Sequence, residues 1–128
     1  MCLNGFLQKA KIFPRIKLNS MPIHVKIKEN SCIAKMASWK LKTNRCAIVI
    51  DKTIHLHCCS KQDFLKNSQW FCHEIVHIIQ WQKEGKVKFV LKYLFYSIKF
   101  GYFQNPFEIE ARKMENNIEL EDKIIIVS

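Results

Sequence analysis

The sequence predicts an α+β fold in which a short β-sheet packs against several helices, and three observations carry that expectation. Residues 23–28 alternate Ile, His, Val, Lys, Ile, Lys, the period of a half-buried strand. Residues 47–50 and 54–57 are two further strand-like runs around a tight turn at Asp51, Lys52 and Thr53. Residues 69–84 and 86–100 instead repeat apolar residues at helical spacing. A chain of 128 residues, 48% hydrophobic, suits one core. It excludes both a multidomain enzyme and a disordered tail.

Residues 1–20 scatter Lys9, Lys11, Arg15 and Lys17 among apolar residues and contain no continuous signal-peptide core. They read as an N-terminal extension to a domain over 21–128, and the chain as cytoplasmic. After the first strand, Asn30 and Ser31 are capping residues for a helix over 31–42, with Cys32, Ile33, Met36, Ala37 and Leu41 at helical spacing. The hairpin follows at 46–57. Residues 60–69 read as polar punctuation that supplies caps for the helix ending at Gly85. Lysines at 86, 88, 92 and 99 make residues 86–100 an amphipathic helix with no run long enough to span a bilayer. Asn105 before Pro106 opens a last helix over about 106–118. Residues 123–127 fit a short strand or a docked tail.

The formal charge is +10 and unevenly spread. Residues 1–73 carry 13 basic and 3 acidic groups, whereas residues 108–128 carry 3 and 6. This suits an acidic partner, nucleic acid or an anionic membrane surface, although lysine also keeps a small apolar domain soluble. Six cysteines without a Cys-x-x-Cys pair read as buried free thiols in a reducing compartment.

The chemistry concentrates in His73-Glu74-Ile75-Val76-His77, an HExxH motif in an apolar helical context. Residues four apart stack on one helix face, so both imidazoles reach one cation. Glu74, about 100° round the helix from His73, stands where it can act as general base towards a water on that cation. The surrounding isoleucines and Val76 indicate burial, and a metal satisfies three polar groups that would otherwise be costly to bury. A third ligand is sought downstream, where Glu108 and Glu110 open the last helix. Glu108, 31 positions after His77 (108 − 77), is the candidate.

With His73 to Gln80 reading HExxHxxQ and residues 105–112 reading Asn-Pro-Phe-Glu-Ile-Glu-Ala-Arg, the sequence resembles small bacterial members of the gluzincin branch of zinc metallopeptidases. The likeness covers about residues 23–112 and includes Phe64-Leu65, Gly85, Tyr93, Gly101-Tyr102 and Phe107. It implies a minimal zincin-like domain with an active-site helix and a second, ligand-bearing helix. It also implies Zn2+ on His73, His77 and Glu108, with Glu74 catalytic and a peptide or protein as substrate. Glu110 is then expected to face Arg112 or solvent. No His or Gly follows His77 at metzincin spacing.

Thermolysin-like peptidases have a second domain that supplies an oxyanion partner, for which this chain has little room. Tyr93, Tyr96, Tyr102, Arg112 and His55 are candidates for that place. His55 and His57, on one face of the second hairpin strand, are candidates to line the cleft, as is Tyr102. Two other functions compete with hydrolysis: an inactive zincin-like binding module, and a basic protein with a structural metal, associated with nucleic acid or a membrane surface.

Overall fold

The structure is a computed structural model describing residues 22–127, so the expected extension lies outside the described residues. In chain order it comprises β1 (Ile23–Lys28), α1 (Cys32–Leu41), β2 (Cys46–Ile50), β3 (Thr53–His57) and α2 (Lys61–Lys66). There follow α3 (Ser68–Glu84), α4 (Lys86–Phe100), α5 (Pro106–Met114), a 3-10 helix (Ile118–Lys123) and β4 (Ile124–Val127). The fold is α+β, with a mixed sheet in the order β2-β3-β1-β4.

The hairpin pairs β2 and β3 antiparallel, from Cys46 opposite His57 to Ile50 opposite Thr53. Asp51 takes a φ of +57°, a left-handed conformation that Asp tolerates better than most residues, and so the turn closes without glycine. β1 lies between β3 and β4 and runs parallel to both. Residues 124–127 are therefore a strand, pairing Ile23 with Ile124 at one end and Lys26 with Val127 at the other.

Val25, Val49, Ile54 and Leu56 bury against Phe71, Ile75, Val76 and Ile78 of α3. Each fully buried Ile or Val of that helix contributes roughly 2 kcal/mol through area removed from water. Asn67 caps α3 by accepting from the Trp70 amide at 3.1 Å, and Gly85 at φ +89° ends it. Asn105, wholly buried, accepts from the Phe107 amide to start α5. Its amide nitrogen donates to the Tyr93 carbonyl and the Ser97 hydroxyl, tying that start to α4.

Four local expectations change. Residues 60–69 contain the short helix α2, capped by Ser60 and anchored by the fully buried Phe64. The last α-helix stops at Met114 rather than near 118, and the 3-10 turn follows. α1 buries its small residues, Ala34 and Ser38, and leaves Met36 and Trp39 exposed, because it lies close against β2 and β3. The five described cysteines are free thiols, but only Cys46 and Cys72 are buried.

Candidate metal centre

α3 carries His73 and His77 one turn apart, and α5 packs across it so that Glu108 meets both rings. Nε2 of His73 lies 3.1 Å from Glu108 Oε2, and Nε2 of His77 lies 3.1 Å from Glu108 Oε1. One ligand atom from each of the three residues falls within 4.8 Å of the others, and this group could hold a metal ion. Metal–ligand bonds of about 2.0–2.1 Å in tetrahedral geometry separate ligand atoms by roughly 3.4 Å, so the donors need little movement to enclose a cation.

The far side of each ring is also held. His77 Nδ1 donates to Gln80 Oε1 at 2.8 Å, and the Gln80 amide nitrogen donates to the Phe107 carbonyl and to Glu110 Oε1. His73 Nδ1 lies 3.2 Å from Glu115 Oε2, and Gln69 donates to the other Glu115 oxygen. With Nδ1 engaged by an acceptor on both rings, Nε2 is the atom each presents to the shared point. Tyr93 completes the cradle, its hydroxyl donating to Glu108 Oε1 at 2.7 Å. Glu110, expected near Arg112 or solvent, instead serves the ligand network through Gln80.

The electrostatics follow from burial and proximity. Desolvation pushes the His77 ring down, but the neighbouring Glu108 carboxylate more than offsets it and raises the pKa to about 9. The His73 pKa is also raised, because its contact with Glu108 outweighs the same desolvation. Glu108 is held well below the usual carboxylate range by both rings and by Tyr93, despite its own burial. Burial raises Glu74 to about 7, with the two histidines pulling the other way. Such opposed shifts on adjacent carboxylates are characteristic of functional sites.

Two cavities flank Glu74. The first encloses about 310 Å³ and is lined by Glu74, His77, Glu108 and Tyr102 together with apolar residues of β2 and α4. The second, of about 510 Å³, is more polar and is reached by His73, Glu74, Tyr102 and Glu115. Tyr102 borders both. His55 and His57 border neither: β3 is an inner strand, and the cleft wall is its neighbour β2. His55 Nδ1 meets the Ser31 hydroxyl at 2.9 Å, which also explains why Ser31 makes no side-chain cap for α1. His57 lies beside the Cys58 thiol.

Of the other oxyanion candidates, Tyr93 is engaged by Glu108, and Tyr96 packs among Phe95, Phe100 and Phe107. Arg112 donates to the Phe103 carbonyl and lies over its ring. Sequence reasoning missed Glu115 as a partner of His73, since 42 positions separate the two. Compared with family models, curated proteins and solved structures, the chain gives no match to any of them.

Proposed function

We propose that the chain is a minimal zinc-dependent peptidase with a zincin-like fold. The observation that carries this reading is the convergence of His73, His77 and Glu108 on one point, with the buried Glu74 beside it at the junction of two cavities. Two imidazoles and a carboxylate are a donor set that suits zinc and leaves a coordination position open for chemistry. Bound there, zinc supplies acidification of a water and polarisation of a substrate carbonyl.

The chain's own residues do the rest. Glu74, its carboxyl raised to about 7, accepts a proton at a carboxylate oxygen and returns it to the departing amine. Gln80 and Glu115 hold the rings in one tautomer. Tyr102, bordering both cavities and reaching Glu108 from the cleft side, offers its hydroxyl to the oxyanion. β2 ends the sheet beside the cleft, and among the described residues it pairs only with β3. An extended peptide can therefore add to it as a further strand.

The test is metal analysis of the purified chain, followed by peptide hydrolysis by wild type and Glu74→Gln. Zinc near one equivalent in both proteins and hydrolysis in the wild type alone are expected. A wild type that takes up no zinc would overturn the proposal, and so would a Glu74→Gln variant that hydrolyses peptides as fast as wild type.

A further inference from the structure

The surface of α4 departs from what a surface helix normally shows. Its inner face carries the buried Phe89 and the half-buried Tyr93 and Tyr96. A helix of this kind ordinarily turns charged residues to solvent on the opposite side. Here that side is an apolar stripe: Val87, Leu91, Leu94 and Ile98, at intervals of four, three and four residues, are 74%, 63%, 54% and 86% exposed. Phe95 and Phe103 extend it.

A second helix shares the first cavity with this one: it is lined by Ala37 and Leu41 of α1 and by Val90 and Leu94 of α4. On the α1 side the apolar surface goes on through Met36 and Trp39, the latter 86% exposed. Lysines flank these residues along both helices, and residues 85–107 contain no side-chain carboxylate. Lys86 and Lys92 are paired with Asp51 and Glu84. Lys35, Lys40, Lys42, Lys88 and Lys99 make no ion pair among the described residues.

We propose that the outer face of α4, together with Met36 and Trp39 of α1, docks on an anionic lipid bilayer. Apolar side chains in a field of unpaired cations complement acyl chains beneath negative headgroups. A second copy of this chain would instead bring two lysine fields together. The helix lies on the bilayer rather than crossing it: α4 has 15 residues, too few for a hydrocarbon core of about 30 Å, and no helix among the described residues is long and apolar enough to span one. In this pose Leu94, which belongs both to the outer stripe and to the lining of the first cavity, faces the lipid. The proposal stands whether or not the metal centre hydrolyses peptides.

Vesicle cosedimentation of the full chain tests it, using phosphatidylglycerol mixed with phosphatidylcholine against phosphatidylcholine alone. Partition to the anionic vesicles is expected, with a blue shift of Trp fluorescence that is lost in Trp39→Phe. The charge-neutral double substitution Leu91→Ser and Ile98→Ser should weaken partition roughly tenfold or more while leaving the circular dichroism spectrum unchanged. Lys88→Gln and Lys99→Gln should each weaken it roughly fivefold. Absence of partition at low salt would overturn the proposal. Partition unaffected by the double serine variant would reduce it to lysine electrostatics, as nucleic acid would also give. A dimer that the same serines dissociate would assign the face to a second copy.

Discussion

The side-chain oxygen of Gln80 lies 2.8 Å from Nδ1 of His77, and this contact determines which nitrogen of the ring faces Glu108. Gln80 is itself 3% exposed and held by two acceptors of α5, so the ring is positioned by packing as well as by its own helix. Gln80→Ala should therefore lower metal affinity about 10- to 100-fold with the helical content retained. Competition with a chromophoric chelator measures this, and unchanged affinity would remove Gln80 from the positioning role.

Tyr93→Phe probes the carboxylate side. The hydroxyl donates to a buried carboxylate, and such a hydrogen bond is worth about 1.5–3 kcal/mol. The metal-free variant should show a melting temperature several degrees below wild type. The metal-loaded pair should differ less, because a cation then neutralises the same oxygen. Calorimetry with and without chelator separates the two cases.

Metal and protons compete for the same rings, so the stabilisation that metal confers should depend on pH. His77, raised to about 9 in the folded state, stabilises the metal-free chain fully below its unfolded value and loses that contribution as pH rises through 9. Glu74, raised to about 7, acts in the same direction, since its ionised form is disfavoured by burial. The depressed Glu108 contributes above its unfolded value and loses that contribution on strong acidification. Metal-free protein should thus become less stable from pH 6 to pH 9, whereas metal affinity should rise over that range as the rings give up protons. The melting-temperature difference between the two forms should widen with pH, and a constant gap would contradict the assigned ligands.

Thiol labelling tests the core. Cys32 and Cys58 are exposed and should react first in the native protein. Cys72 is shielded, and its thiol is pushed up to about 11 by burial and by the nearby Glu121 carboxylate. It should react only on unfolding, as should the buried Cys46. Mass mapping of the labelled sites gives the order.

The parts legible in the sequence were those whose physics is local. HExxH places two rings on one turn by helical geometry alone, and the alternation over 23–28 follows from the pleat. The joining of Glu108 to them depends on how α5 crosses α3, and neither helix's own pattern states that crossing. The same crossing creates the contacts Glu115–His73 and Gln80–Glu110, which periodicity could not supply. α2 was illegible because six residues hold too few turns to show a period, even though Phe64 is wholly buried. The apolar residues of α1 misled because Ala34 and Ser38 let the helix approach the sheet, turning Met36 and Trp39 outward.

The three donors sit at either end of a long excursion of the chain, with all of α4 between His77 and Glu108. A cation shared by them acts as a cross-link closing a loop of 31 positions (108 − 77). By analogy with a disulfide, such a closure is worth about 3–4 kcal/mol of unfolded-chain entropy. Chelation should then do more than empty a site: it should lower the melting temperature by removing that cross-link, while the contacts of Glu108 and Gln80 still join α5 to α3. A metal held there would in this sense be a clasp on the loop that carries the apolar outer face.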